Sequence, residues 1–337
     1  MVNSAIVFTA PGRVELQAAP PPVPAPGEVL IRTRRSLIST GTELTLLAGG
    51  GRPGSVWAEL ASFPLPVGYS NAGEVVGLGE GVAGAWLGRR VETHCRHASL
   101  VTCAVDRLRS IPEGVSDEEA TFSSLAEVAM NGLRRIALAW GESVGVFGLG
   151  LLGQLVVRLA AVAGAGPIFG VERAAARRRS MPAGPLLHAL DPEAEDLAAA
   201  VRRHHQGRAL DVVVETTGDP EAIPRQLPLL RDQGRFLVLS SPRGATLFDF
   251  HDLCNRRSLT IVGAHGFSHP PAETPNTPWT GRRHGELFLR WLAAGRLDVG
   301  GLISHRFAAR RAPDAYALLA ARREEAMGVI LDWDESS

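Results

Sequence analysis

The residues whose types and spacing most suggest chemistry are Gly148-Leu149-Gly150-Leu151-Leu152-Gly153. They follow the apolar run Val144-Gly145-Val146-Phe147 and open residues 151–163, where the apolar spacing predicts a helix. In such a strand–turn–helix the first glycine permits a tight turn. The second lets the backbone approach a pyrophosphate, and the third lets helix and strand pack closely. The helix start adds free N–H groups and a positive dipole end for the phosphates. Glu172 ends the next apolar run, about 20 residues on, where an acid accepts hydrogen bonds from the adenosine ribose and favours NAD. Arg173 follows it and could hold a 2′-phosphate instead, so NADP is the alternative. Arg177-Arg178-Arg179 read as a solvated helix face. Thr216-Thr217 and Ser240-Ser241 follow two later apolar runs, on the side of a parallel sheet where ligands bind. The chemistry implied is hydride transfer by a nicotinamide dinucleotide.

The elements that must position these residues fall into two kinds. Residues 5–9, 14–17, 28–34, 73–77 and 90–93 read as short strands divided by glycine and proline turns, the pattern of a small barrel. Ser116-Asp117-Glu118-Glu119 has a capping serine and acids in its first turn, and apolar positions then recur at helical spacing to 139. Beyond it, strands at 143–147, 167–171, 211–215, 234–239 and 259–263 alternate with helical segments, which predicts a doubly wound parallel sheet. A proline-rich excursion at 266–281 precedes a helix at 284–294. The tail reads strand–helix–strand at 302–307, 313–322 and 328–333. The expected class is α/β, with a barrel domain from 1–117 and 299–337 and a dinucleotide domain from 118–298.

Composition narrows the field. A chain of 337 residues suggests two domains. The formal net charge is zero, and no basic stretch is interleaved with aromatics, so no nucleic-acid partner is expected. All 35 basic residues are arginine. That rules out a Schiff-base lysine and a Tyr-Lys catalytic pair, and with the Ala, Gly and Pro content it points to a GC-rich bacterial genome. Three cysteines do not make a disulfide framework. The first six residues lack the blocks of a signal peptide, and no apolar run approaches the ~20 residues of a bilayer span. A cytoplasmic protein without a membrane partner is expected.

The order of parts resembles the medium-chain dehydrogenase/reductase superfamily, the zinc alcohol dehydrogenase and quinone reductase group, over nearly the whole chain. The carriers are Gly27-Glu28-Val29-Leu30-Ile31-Arg32, Gly68-Tyr69-Ser70-Asn71-Ala72-Gly73-Glu74-Val75-Val76, the glycine turn and the final strand. The resemblance implies a GroES-like β-barrel catalytic domain completed by the C-terminal segment, an inserted Rossmann domain, and an active site in the cleft between them. It also exposes a departure. Zinc members carry Cys-Gly-Thr-Asp where this chain has Thr40-Gly41-Thr42-Glu43, and Gly-His-Glu where it has Gly68-Tyr69-Ser70. The helix entering the nucleotide domain reads Ser123-Ser124-Leu125-Ala126-Glu127. Hydroxyls and a phenol are poor substitutes for thiolate and imidazole at zinc. Cys95 and Cys103 are too few for a structural zinc lobe, so no zinc is expected. The Ser39-Thr40-Gly41-Thr42-Glu43 stretch is also similar to that of bacteriochlorophyllide dehydrogenases.

Without a metal, hydrogen-bond donors must polarise the substrate oxygen or exchange its proton. By resemblance Thr42 takes the place of the proton-relaying hydroxyl and Tyr69 that of a lost ligand histidine. Each has a plain alternative, a turn residue and a packed aromatic. Glu43 and Glu127 are acid–base partners or structural carboxylates. His265 follows the last strand of the nucleotide domain, near the nicotinamide in the family, and can titrate near neutrality. His94 and His97 are expected to face solvent or core, and His204-His205 to be solvated. The leading expectation is a zinc-independent oxidoreductase acting on an alcohol or ketone of a small polar or natural-product molecule. The alternatives are a quinone or enoyl reductase and an inactive NAD(H)-binding protein. Family analogy adds a homodimer through edge strands.

Overall fold

A computed structural model describes residues 3–266 and 268–334. Met1 and Val2 of the N-terminal stretch, and Phe267 within the proline-rich excursion, lie outside the described residues. The chain forms two compact units, one of Met1–Ser124 with Gly285–Ser337 and one of Leu125–His284.

The first unit is built on mixed sheets. A seven-stranded sheet runs in the order Ile303–Ala308, Gly328–Asp332, Glu28–Leu37, Asn71–Leu78, Arg90–Thr93, Arg109–Ser110, with Leu100–Ala104 also paired to Glu28–Leu37. A three-stranded sheet joins Arg13–Ala19, Asn3–Ala10 and Leu65–Pro66. Strand Glu28–Leu37 shows why the register holds. Val29, Ile31 and Thr33 are buried while Arg32 between them is exposed, the period-2 pattern of a strand with one core face. Gly73 is required opposite it, because a Cβ there would stand 2.2 Å from the Arg32 carbonyl oxygen. The C-terminal segment joins the same sheet, Leu331 facing Ser36 in antiparallel register.

The helix expected from Ser116 to 139 is divided and shorter. Ser116 and Glu119 form a capping box on Asp117–Ala120, and Thr121 then caps that turn. A second helix, Ser123–Arg135, follows. It cannot run to 139 because Ala137 adopts φ +53°, outside the helical region.

The second unit is a six-stranded parallel sheet, spatially ordered Leu187–Leu190, Ile168–Val171, Val144–Phe147, Leu210–Glu215, Leu230–Val238, Thr260–Gly263. In chain order that is 3-2-1-4-5-6, the doubly wound dinucleotide-binding arrangement. All four residues of Val144–Phe147 are buried, as a central parallel strand requires. The strand Leu187–Leu190 stands where the sequence suggested only helix. The order reverses between Val144–Phe147 and Leu210–Glu215, so their carboxyl ends flank the crevice where such sheets bind ligands.

Candidate functional site

The glycine turn sits at that switch point. Gly148 adopts φ +89°, and a Cβ on it would meet Thr216 and Thr217 backbone at 3.2 Å. At Gly153 a Cβ would stand 1.8 Å from the Gly148 carbonyl oxygen, so helix and turn pack too closely for any side chain. Gly150 differs: nothing lies within 4 Å of where its Cβ would be. Its lack of a side chain serves no internal packing and leaves the approach to the backbone open. The helix Leu151–Val162 begins at Gly150 with no side-chain cap, so its first-turn N–H groups, those of Leu151 and Leu152 among them, have no acceptor within the helix. Leu149 is buried, and its amide donates to Glu172 Oε2 at 3.0 Å.

Glu172 also accepts from the Ala174 N–H at 3.0 Å, with Arg177 at 3.7 Å. Its carboxylate is therefore fixed against the turn. Arg178 is held by Asp191 at 2.7 Å and by the Glu172 carbonyl at 2.6 Å, so this member of the arginine run is structural. Arg173 is exposed.

The strand-end hydroxyls serve the turn more than they face a ligand. Thr216 Oγ1 donates towards the Phe147 and Gly148 carbonyls, both at 2.7 Å, and pins the turn. Thr217 and Ser240 hydroxyls both donate to Glu215. Glu215 is fully buried and also accepts from the Thr217 and Gly218 amides at 2.6 and 3.1 Å. Ser241 is exposed. Glu215 was not singled out in the sequence. The available signal was an acid ending a valine run and followed by two threonines.

In the first unit the candidates Thr42, Tyr69 and Glu43 come together. The helix Thr40–Leu47 opens with Thr40-Gly41-Thr42-Glu43. Tyr69 OH bonds Ser39 Oγ, and it donates to Thr42 Oγ1 at 3.3 Å. Ser124 Oγ donates to the Tyr69 carbonyl at 2.7 Å and fixes that backbone. Burial raises the Tyr69 phenol above its ordinary range and the Glu43 charge adds to this, against the opposing hydrogen bonds of Ser39 and Thr42. Tyr69 is thus a phenol at neutral pH, a proton donor. Beside it, Thr40 Oγ1 and Ser70 Oγ are buried without a protein partner.

Glu43 is enclosed behind these hydroxyls, 1% exposed. One carboxylate oxygen accepts from the Ser39 amide at 2.8 Å. The other takes His97 Nε2 at 3.2 Å and the Tyr316 hydroxyl. His97 Nδ1 meets Ser36 Oγ at 2.9 Å, and Trp333 Nε1 donates to that same oxygen at 2.9 Å. His97 is therefore a core residue, and Glu43 positions Ser39. In the second unit Glu127 is buried beside Gly281. His265 is exposed, and its carbonyl accepts from Ser268 Oγ at 2.7 Å. Among the described residues no group of three or more His, Cys, Asp or Glu is arranged to hold a metal ion, and no helix is long and apolar enough to cross a membrane.

Comparison with known proteins bears on this arrangement. The zinc-binding dehydrogenase family matches residues 152–278. L-threonine 3-dehydrogenase of Pyrococcus horikoshii is 28% identical over 337 aligned residues, covering 90% of this chain and 91% of that one. An Escherichia coli alcohol dehydrogenase solved with NADH has a TM-score of 0.81 at 16% identity, covering 98% of this chain and 99% of that one. A zinc-binding dehydrogenase of Sinorhizobium meliloti bound to NADP has a TM-score of 0.80 at 21% identity, with the same coverage. At those identities the two structures speak for the fold, while the sequence match extends the likeness along the chain. Together with the strand order, the family match over residues 152–278 and the likeness along the chain support the medium-chain dehydrogenase/reductase superfamily, in its alcohol dehydrogenase-like group, as the lineage of this chain.

Proposed function

We propose that the chain is a zinc-independent, NAD(P)-dependent oxidoreductase that interconverts an alcohol and a ketone on a small polar or natural-product molecule. The observation that carries the reading is the hydroxyl set Ser39, Thr42 and Tyr69, with a neutral phenol at its centre. The positions that hold zinc ligands in zinc members carry Thr40, Tyr69 and, in the helix entering the nucleotide domain, Ser124 here. A donor set of neutral hydroxyls does not fit zinc, which prefers thiolate, imidazole and carboxylate. Bound at the glycine turn, the nicotinamide cofactor supplies or accepts the hydride. The first-turn N–H groups after Gly150 hold the pyrophosphate, and Glu172 accepts from the adenosine ribose. Tyr69 OH hydrogen-bonds the substrate oxygen and passes it a proton on reduction, and Ser39 and Thr42 relay a proton from solvent back to the phenol oxygen.

Tyr69→Phe keeps the ring and removes the donor. It is expected to lower kcat for ketone reduction about 10²-fold with little change in NADH affinity. Steady-state kinetics with fluorescence titration of NADH checks this. Cofactor oxidation by enones but never by ketones would favour a quinone or enoyl reductase. Binding of NADH with no turnover on any substrate panel would favour an inactive binding protein.

The fixed carboxylate of Glu172 supports NAD over NADP, since a 2′-phosphate would meet a like charge there. Glu172→Gln is expected to narrow the preference for NADH over NADPH by about tenfold, roughly 1.4 kcal/mol. Titration of both cofactors against both proteins decides it, and an unchanged ratio would sink the assignment.

A homodimer through the nucleotide-binding unit is supported by its edge strand Thr260–Gly263, where Ile261 is 40% exposed on an unpaired sheet edge. Sedimentation at micromolar concentration is expected to give twice the 35.8 kDa chain mass, and Ile261→Lys to return the monomer.

A further inference from the structure

A cluster in the Leu125–His284 unit takes no part in the functions assigned above. Trp279, just ahead of the helix Gly281–Ala293, carries two guanidinium groups. Arg134 Cζ lies 3.4 Å and Arg283 Cζ 4.2 Å from its ring centroid, both cation–π contacts. Arg134 Nε donates to His284 Nε2 at 2.9 Å. His284 Nδ1 pairs with His269 Nε2 at 3.2 Å, and His269 Nδ1 with the Gly266 carbonyl at 2.9 Å. A carbonyl only accepts, so His269 carries its proton on Nδ1 and accepts at Nε2. His284 then donates from Nδ1 and accepts from Arg134. The chain of bonds has one direction, with both imidazoles neutral. Burial, with the neighbouring His269, Arg134 and Arg283, holds His284 down to about 3.

That leaves Arg134, an exposed residue, without a carboxylate partner among the described residues. His284 accepts one N–H but brings no negative charge. Among the described residues no carboxylate pairs with Arg134, and its terminal nitrogens take no protein acceptor. Burial and then the like charge of Arg283 lower its pKa. Arg283 Nη1 donates to the Pro278 carbonyl at 2.9 Å and meets Glu273 at 3.6 Å, an exposed pair of little strength. The orienting bonds therefore fix a guanidinium fork without a counter-ion, beside a second cation. Neighbouring residues of the same helix locate it. Asn131 Nδ2 reaches the His265 carbonyl at 3.4 Å and Arg135 Nε the Gly263 carbonyl at 3.2 Å, at the carboxyl end of strand Thr260–Gly263.

We propose that Arg134 and Arg283, stacked on Trp279, form a binding site for the oxyanion of a small molecule, a carboxylate or phosphate group taken by the Arg134 fork. The site is separate from the glycine turn and does not depend on which substrate is turned over.

The test uses the full chain saturated with NAD+, so that the glycine turn is filled. Inorganic phosphate and malonate are titrated separately, with sodium chloride at matched ionic strength, following tryptophan fluorescence and thermal stability. A saturable response to phosphate, malonate or both, and none to chloride, is expected, and the anion that responds identifies the group recognised. Arg134→Gln should weaken that response at least about tenfold, and Arg283→Gln, which leaves the Arg134 fork in place, severalfold. Trp279→Phe should erase the fluorescence change. No saturable response to either oxyanion overturns the proposal. So does undiminished affinity in folded Arg134→Gln, or in Arg283→Gln should Arg134→Gln fail to fold.

Discussion

Gly153→Ala and Gly150→Ala are expected to fail in different ways, although both change one hydrogen to a methyl in the same turn. At Gly153 the new Cβ would stand 1.8 Å from the Gly148 carbonyl oxygen and 3.0 Å from Thr216 Oγ1. Neither neighbour can yield, because Thr216 Oγ1 is itself bonded to the Phe147 and Gly148 carbonyls. The helix must move off the sheet, at a cost of about 1–3 kcal/mol in stability, and the displaced N–H groups lose the dinucleotide. At Gly150 the Cβ meets nothing within 4 Å, and φ −69°, ψ −173° suits any residue. Stability should stay within about 0.5 kcal/mol of the parent, while the methyl stands where a pyrophosphate must approach and NADH binding falls at least about tenfold. Urea denaturation and calorimetric NADH titration of both variants measure the two effects separately. Full NADH affinity in Gly150→Ala would mean that the turn does not take the phosphates. Equal stability of the two variants would mean that the close approach at Gly153 is relaxed without cost.

The turn was legible in the sequence because its requirements are local. A tight turn, an open backbone and a close helix each demand glycine, and a strand and a helix flank them in order. The same holds for the capping box at Ser116 and the alternation in Glu28–Leu37. The strand Leu187–Leu190 was not legible. It is the short edge of its sheet, with only Leu190 buried, so it lacks the apolar run that marked its neighbours. Glu215, and the choice between the two roles open to Glu43, were illegible for another reason. A carboxylate in a sequence says nothing of how many donors surround it, and both are surrounded by residues distant in the chain or by backbone amides. Tyr316 is the clearest case, since nothing in Ala312–Ala321 suggests that one hydroxyl reaches Glu43. Thr42 and Tyr69 were singled out from aligned positions alone. Ser39, the hydroxyl that Tyr69 bonds, stands in the same stretch, but nothing in the sequence assigns it a role. Arg134, Trp279 and His284 likewise converge from segments that share no periodicity.

Glu43→Ala is expected to be among the most destabilising single changes in this chain. Burial works against the Glu43 charge, but His97 foremost, then Tyr316 and the Ser39 amide, outweigh it and hold the carboxyl below its ordinary range. Removing it leaves His97 Nε2, the Tyr316 hydroxyl and the Ser39 amide without acceptors in a dry core, a loss of about 3–5 kcal/mol. Glu43→Gln fills the space but offers one acceptor for three donors, so its loss should be smaller in the same direction. The pH dependence has a definite sign. A carboxyl depressed by folding contributes fully above its unfolded value, near 4.3, and its contribution fades as pH falls through the folded value. The parent should therefore lose stability on acidification that Glu43→Gln does not, and the gap between them should close towards pH 3. Urea denaturation at pH 7, 5 and 3.5 checks this, and a gap independent of pH would mean that the charge contributes nothing. The activity of Glu43→Gln adds a second readout. Glu43 holds the Ser39 amide, and Ser39 Oγ bonds Tyr69 OH. If that hydroxyl set carries the proton, the folded variant should lose kcat for ketone reduction at saturating NADH while its cofactor affinity stays at the parent value. Loss of cofactor affinity instead would place the defect in the nucleotide-binding unit and detach Glu43 from the hydroxyl set.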